Sequence, residues 1–341
     1  VSAYHEQGLI QSLDPWIESG VLDTTGFYHA TLSQCQGAGG MALCLPWGCD
    51  AYALYWNKDL FAAAGLDPDR PPQTLEELAE YSARLAVQGG EGGLEQTGFL
   101  PDLSRSNTDL YASLFGGYWL EHGTAELAVN AQPMLDAAAW QRQFYELYGM
   151  EHTVEFASSL NKYLDSRHPL SSGKRQSCQH CHPTTAMSKG PEQAFYNGQV
   201  AMMVDGQWQL GPGFLAEKAP DLNFGLAAIP PSARHPGRTN TTLVQGSVIV
   251  IPAGSQDEAA AVDLLAWMVS PQVAAKQALV FSKLPASRAA AQNWSLQAGP
   301  ESDLFLELLS HPNAAYSVSA PISQELNQAI GQAEGEILHG G

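Results

Sequence analysis

Short apolar runs alternate with capped helical segments along this chain, and this alternation constrains the fold more than any other feature. Met41–Pro46, Val200–Val204 and Leu243–Ile251 have the length and apolar character of buried strands. Between them, Thr74-Leu75-Glu76-Glu77 has the pattern of a capping box at the head of a helix. Strands that alternate with helices predict an α/β architecture. The 341 residues are enough for two domains, each with its own core.

The charge balance excludes several classes of partner. Thirty-five acidic residues against 16 basic ones give a formal net charge of −19. An acidic surface repels the phosphates of nucleic acid and of anionic lipid, so no nucleic-acid partner is expected. No apolar run approaches the ~20 residues that span a bilayer, and the start at Val1 has neither the basic nor the apolar region of a signal peptide.

Three blocks of residues carry a family resemblance when they are taken together. The first runs from Leu45 through Asp50–Phe61 and Ala64–Leu66 to Leu78, the second from Phe195 to Trp208, and the third from Ile251 to Pro271. In this order and spacing they resemble the family-1 extracellular solute-binding proteins of ABC importers, the family of the maltose-binding protein.

The resemblance implies a fold like that of the type II periplasmic binding proteins, with two α/β lobes, a hinge and a ligand cleft between the lobes. Lobe one is expected to hold residues 1–50 and 247–290, and its N-terminal part is expected to be missing, since family members carry a further strand-helix-strand unit before the position of Val1. Lobe two is expected to hold residues 51–246 and 291–341. Residues 158–191 are polar and rich in proline and glycine, which indicates a loop or insertion.

The same resemblance supplies candidate ligand-binding residues. It implies that Asp50 offers a carboxylate to the ligand and that the ring of Trp208 stacks on a sugar. Further candidates on the lobe crossings and in the cleft are Trp47, Tyr52, Trp119, Asp109 and Gln245. Each also has a purely structural interpretation, as a packing aromatic at the hinge or as a turn cap. Three other aromatic residues are assigned to the core or to its support, namely Tyr55, Trp56 and Trp267.

The function implied by the resemblance is that of a receptor and not of an enzyme. The chain would bind a mono- or oligosaccharide and deliver it to the membrane permease of an ABC importer. It would act as a monomer without a cofactor, in the periplasm or at the cell surface, where lipid anchoring is compatible with this role. The few basic residues in the matched blocks argue against a phosphorylated ligand.

Two alternatives of other classes remain open. Cys178, Cys181 and His182 form a C-x-x-C-H pattern, which occurs in covalent haem attachment, and the same residues suit zinc, so a metal- or haem-carrying electron-transfer protein is one alternative. A local disulfide or free thiols in an exposed insertion is the simpler interpretation. The other alternative is a glycoside hydrolase, which needs two carboxylates facing each other across a sugar. The odd count of five cysteines does not indicate a disulfide framework.

Overall fold

The computed structural model describes residues 1–90, 93–101, 108–119, 127–165 and 192–316, with single positions 329, 332, 333 and 336 near the C-terminus. The strands are β1 (Leu45–Asp50), β2 (Tyr52–Asn57), β3 (Val87–Gln88), β4 (Leu94–Gln96), β5 (Met202–Gly206), β6 (Phe224–Ala227), β7 (Thr242–Ile249) and β8 (Ala314–Tyr316).

Helices precede, separate and follow these strands. In chain order they are α1 (Ser2–Glu6), α2 (Asp14–Glu18), α3 (His29–Ser33), α4 (Lys58–Ala63), α5 (Leu75–Leu85), α6 (Thr108–Leu114), α7 (Gln132–Tyr148), α8 (Met150–Asp165), α9 (Glu192–Tyr196), α10 (Leu215–Lys218), α11 (Glu258–Met268), α12 (Pro271–Val280), α13 (Arg288–Ala298) and α14 (Asp303–Ser310). In the described part of the chain, no helix combines the length and apolar character needed to cross a membrane.

The strands form two three-stranded sheets and a small hairpin of β3 and β4. In one sheet β7 lies between β1, which is antiparallel to it, and β8, which is parallel to it. In the other, β2 lies between β5 and β6, both antiparallel. Because only Ala51 separates β1 from β2, the chain passes directly from one sheet to the other between Asp50 and Tyr52.

Strand β2 divides two apolar cores, because alternate residues of a strand point to opposite faces. Tyr52, Leu54 and Trp56 enter the Phe144 core, which also contains Phe99, Trp140 and Phe144. Ala53 and Tyr55 enter the Phe305 core, which also contains Phe195, Trp294 and Phe305. All six residues of β2 are buried, so the sheet is covered on both faces at its centre.

A third cluster, the Leu265 core, contains Leu13, Leu22, Leu45, Ile251, Val262 and Leu265. All of its residues come from the ranges predicted for lobe one. The Phe305 core instead draws on both predicted lobes, with Cys49 and Leu284 from one and Tyr55 and Phe195 from the other. The lobe boundaries therefore stay a prediction.

Three helix starts show how local residues cap or begin a helix. Thr74 Oγ1 accepts a hydrogen bond from Glu77 N at 3.0 Å, as expected at the start of α5. Pro271 occupies the first turn of α12, where its missing N–H costs nothing. The stretch Ser255-Gln256-Asp257-Glu258 also has the pattern of a capping box, but Asp257 is the N-cap and accepts from Ala260 N at 3.0 Å.

Three further expectations are corrected by the structure. Residues 158–165 belong to α8, so the first part of the predicted loop or insertion 158–191 is helical, which leaves the insertion as a prediction, and residues 166–191 lie outside the described residues. Trp267 is 59% exposed on α11 and is not a core residue, because α11 turns Val262 and Leu265 inward instead. Cys35 and Cys44, nine residues apart, form a disulfide that the odd cysteine count did not suggest.

Candidate functional site

The candidate site is built where two chain segments cross between the sheets. Thr242, at the start of β7, makes two side-chain hydrogen bonds to the backbone at the start of β2. Tyr52 N donates to Thr242 Oγ1 at 2.7 Å, and Thr242 Oγ1 donates to Tyr52 O at 2.9 Å. In the ladder between β1 and β7, Asp50 lies opposite Gln245. The crossing therefore brings three predicted site residues, Asp50, Tyr52 and Gln245, to one place.

Asp50 lies at the centre of a polar cluster, whose other members are Gln207, Ser282 and Lys283. Lys283 Nζ forms an ion pair with Asp50 Oδ2, and the two side chains are only 16% and 14% exposed. Gln207 Nε2 donates to Asp50 Oδ1 at 2.8 Å and to Ser282 O at 2.9 Å, while its Oε1 accepts from Ala51 N at 3.0 Å. Such charge-assisted contacts are short and directional, so they fix the carboxylate in one orientation.

Aromatic residues lie next to this polar cluster. The rings of Tyr52 and Trp208 meet edge to face, with centroids 5.6 Å apart and an interplanar angle of 90°. Tyr52 Oη donates to Gln245 Oε1 at 3.1 Å. Trp208 is half-buried, and its ring folds back over Gly206 so closely that a Cβ on Gly206 would overlap the indole. Glycine is therefore required at position 206 for the indole to take this place.

A buried network supports the turn that carries Trp208. Asp205 accepts from Gly206 N at 2.8 Å and from Gln209 Nε2 at 2.6 Å, and Gln209 Oε1 accepts from the Tyr196 hydroxyl. Tyr55 Oη donates to Gly206 O at 2.9 Å. Burial, followed by the charges of Glu192 and Asp205, raises the pKa of Tyr196, and burial also raises the pKa of Tyr55, so both phenols stay protonated donors.

The remaining predicted site residues lie in two other contacts. Trp47 contacts Phe281 with ring centroids 5.3 Å apart, and its Nε1 donates to Gln277 on α12. Trp119 Nε1 donates to Asp109 Oδ1 at 2.7 Å, and the Trp119 ring packs on the Phe144 core. Trp119 and Asp109 are therefore not among the contacts that join Asp50, Tyr52, Trp208 and Gln245. A ligand-binding role for any of these residues stays a prediction.

Sequence reasoning missed Gln207 and Lys283, which hold Asp50. Gln207 had a usable signal, because it immediately precedes Trp208 in a block that carries the resemblance. Lys283 had none, since 233 residues separate it from Asp50 and only the folded chain brings them together. The assignment of Tyr55 and Trp56 to the core is confirmed, as both are buried.

The alternative metal or haem site cannot be described, because Cys178, Cys181 and His182 lie outside the described residues. Within the described ranges, no three His, Cys, Asp or Glu side chains come together as metal ligands. Cys49 is a buried free thiol, and burial, followed by the nearby charge of Asp50, raises its pKa well above the usual range. That environment disfavours the reactive thiolate form.

Curated relatives match most of this chain. The sn-glycerol-3-phosphate-binding periplasmic protein UgpB of Escherichia coli strain K12 is 24% identical over 264 residues, which is 74% of this chain and 50% of that protein. UgpB of Shigella flexneri is 25% identical over the same length and shares. The chain spans about half the length of the curated relatives it matches.

Solved structures agree with the described fold. CpMnBP1 with mannotriose bound is 27% identical, with a TM-score of 0.75, and the match covers 99% of this chain and 78% of that one. The maltose-maltodextrin binding protein of Alicyclobacillus acidocaldarius, at 19% identity and a TM-score of 0.64, covers 99% and 76% and shows the fold alone. The expected type II periplasmic-binding-protein fold is thereby confirmed. A family model described as "Bacterial extracellular solute-binding protein" matches residues 1–303, and the chain belongs to this family of binding proteins.

Proposed function

We propose that this chain is the substrate-binding receptor of an ABC importer and that it captures a sugar beside Asp50 and Trp208. One observation carries the proposal: a half-buried indole, set at a right angle to Tyr52, directly follows Gln207, which together with Lys283 fixes the orientation of the Asp50 carboxylate. A sugar site needs a flat apolar surface for the ring and a few fixed polar groups for the hydroxyls. CpMnBP1, a structural neighbour at 26–27% identity, has been solved with mannobiose and with mannotriose bound.

The proposed mechanism is capture by closure of two lobes. A ligand that contacts both lobes stabilises the closed form and shifts the population toward it, by as much as its affinities for the two forms differ. The permease then recognises the closed form, and the importer's ATPase supplies the energy for transport. Within this scheme the chain acts as a monomer, catalyses no reaction and needs no cofactor.

The charges at the site favour a neutral sugar over a phosphorylated ligand. The curated relatives are sn-glycerol-3-phosphate-binding proteins, which makes a glycerol phosphate the competing candidate. Lys283, the cation of the polar cluster, is already paired with Asp50. A phosphate placed there would meet a carboxylate at short range and would displace the ion pair, and both effects oppose its binding.

An extracytoplasmic location agrees with the family and with the disulfide Cys35–Cys44. Disulfides persist in oxidising compartments and are rare in the cytosol. Delivery to a membrane permease requires this location. The proposed place of action is therefore the periplasm or the cell surface.

A thermal-shift screen of the purified chain tests the ligand class. The panel contains mannose, mannobiose, mannotriose, maltose, sn-glycerol 3-phosphate and amino acids. A ligand at about 100 times its dissociation constant adds roughly 2.7 kcal/mol to the free energy of unfolding, which raises the melting temperature measurably. We expect a rise with at least one saccharide and none with sn-glycerol 3-phosphate. A rise with the phosphate alone would overturn the proposal.

A further inference from the structure

The loop that follows α12, Phe281-Ser282-Lys283, combines an exposed aromatic ring, a left-handed serine and a buried cation. Phe281 is 55% exposed, although it contacts the ring of Trp47. Ser282 has φ = 52°, in a region that residues other than glycine rarely occupy. Lys283 turns inward, packs over Gly48 and pairs with Asp50. Left-handed residues other than glycine concentrate at ligand clamps and active sites, where the surrounding structure holds them in place.

The facing strand is irregular at the same place. In β1, Pro46 pairs with Val248 and Gly48 pairs with Ser247, so Trp47 is an extra residue without an opposite partner in the ladder. An extra residue of this kind is a β-bulge, and bulges next to functional sites redirect a side chain. Here the redirected indole packs on Phe281 and donates to Gln277. The bulge and the left-handed serine together bring Trp47 and Phe281 into contact.

This aromatic pair is linked to Trp208 through the polar cluster. Ser282 O accepts a hydrogen bond from Gln207, the residue before Trp208. On the other side, Gly211 N donates to Trp208 O at 2.9 Å, and a Cβ on Gly211 would overlap the Ser282 side chain. The Ser282 side chain therefore packs against the turn that carries Trp208. Two aromatic pairs are thus tied to the polar cluster around Asp50: Tyr52 and Trp208 next to Gln207, and Trp47 and Phe281 next to Ser282.

We propose that Phe281, with Trp47 behind it, forms a second sugar subsite, and that the ligand is a saccharide of at least two rings. One ring stacks on Trp208 and the next on Phe281, while Asp50 and Lys283 bind the hydroxyls between them. This inference rests on the proposed function and adds to it the length of the ligand and two binding residues, Phe281 and Lys283. A single ring covers one aromatic surface and leaves Phe281 in water.

The experiment compares three saccharides by calorimetric titration of the wild-type chain and of Phe281→Ala. We expect the variant to bind mannobiose and mannotriose about tenfold more weakly, because an aromatic contact and its buried area are lost. Mannose affinity should change less than about twofold. Val280→Ala is the matched control, because Val280 is the preceding residue and is 76% exposed, and it should leave all three affinities unchanged.

The outcomes separate this inference from the proposed function. Equal affinities of Phe281→Ala and wild type for all three saccharides would overturn the subsite and leave the sugar receptor standing. An equal loss for mannose and mannotriose would overturn the assignment of a second ring. Failure of the wild-type chain to bind any saccharide would overturn the proposed function and the subsite together.

The backbone of Ser282 offers a second test that does not remove the aromatic ring. Glycine adopts positive φ without strain, so Ser282→Gly should raise the melting temperature and keep mannotriose affinity within about twofold. Valine is strained in that conformation, so Ser282→Val should weaken mannotriose binding severalfold while mannose binding is retained. Unchanged mannotriose binding in Ser282→Val would contradict a ligand-binding role of the loop.

Discussion

Trp208 owes its orientation to residues that a ligand would never touch. Gln209 is fully buried and spans the gap between the Asp205 carboxylate and the Tyr196 hydroxyl. Leucine at this position would keep the volume but leave both polar groups without these partners, and an unsatisfied buried polar group costs about 1–3 kcal/mol. The position of the turn, and with it the position of the indole, therefore depends on Gln209.

Gln209→Leu should weaken saccharide binding about tenfold and should also lower the melting temperature. A purely structural residue would change only the melting temperature, so a local signal is needed as well. With 5-fluorotryptophan incorporated, the ¹⁹F resonance of Trp208, assigned by its loss in Trp208→Phe, should shift in Gln209→Leu. Gln297→Leu, an exposed change on α13, is the control and should leave the resonance and the affinity unchanged. An unshifted Trp208 resonance in Gln209→Leu would contradict the positioning role.

At this scale the sequence indicates only part of the candidate site. Asp50, Tyr52 and Trp208 are predicted because they lie in blocks that carry the resemblance, and Gln245 because it lies near a second lobe crossing. The ion pair between Lys283 and Asp50 and the contact of Phe281 with Trp47 were not foreseen. Both contacts join residues more than 200 positions apart, and no local pattern encodes a pairing of that kind.

In helix α5, the neighbouring residues Glu76 and Glu77 have different hydrogen-bond partners. Burial acts to raise the pKa of Glu76, but hydrogen bonds from Ala233 N and the Ser232 hydroxyl outweigh it and lower the pKa overall. For Glu77 burial is likewise outweighed, by Arg70 and the backbone N–H of Gln73, and its pKa is also lowered. Both carboxylates therefore stabilise the folded chain as long as they are ionised.

The lowered pKa values fix the direction in which the free energy of unfolding depends on pH. The stabilising contribution of Glu76 and Glu77 is fully present above the pKa of an unfolded glutamate, about 4.3, and is lost as the pH falls through the lower folded value. Urea unfolding between pH 7 and pH 3 should show this loss, and it should be smaller in the double variant Glu76→Gln/Glu77→Gln. Glu80→Gln on the exposed face of α5 is the control. An acid limb as steep in the double variant as in the wild type would contradict this account.

Local sequence patterns predict helix caps, which depend on neighbouring residues, but they do not predict which face of a helix is buried by tertiary packing. The Thr74 cap depends on atoms three residues apart, and it formed as predicted. The buried face of α7 does not follow from hydrophobicity alone, because Leu135 is exposed while Trp140 and Phe144 are buried. Which side of a helix is buried depends on the neighbour it packs against, and α7 packs against the Phe99 side of its core.

At the scale of the whole molecule, the two sheets meet where β1 runs into β2 and where β7 begins. We propose that the hinge between the two predicted lobes lies at these crossings, at Ala51 and Thr242. Gln207 adds a contact across the same region, from the turn after β5 to Asp50 and Ser282. The alternation of strands and helices predicted the α/β class, and the resemblance predicted the type II architecture. Neither could supply the geometry of the cleft, which depends on how the two sheets pack.

The most direct test of the account is calorimetric titration of mannotriose into the wild-type chain and into Trp208→Ala. We predict binding of one mannotriose per wild-type chain and an affinity at least about thirtyfold weaker in the variant, since a buried aromatic anchor typically contributes 2 kcal/mol or more. Circular dichroism should show that the variant remains folded. Absence of saccharide binding by the wild-type chain, or equal affinity in a folded Trp208→Ala, would contradict the proposal that this site holds a sugar.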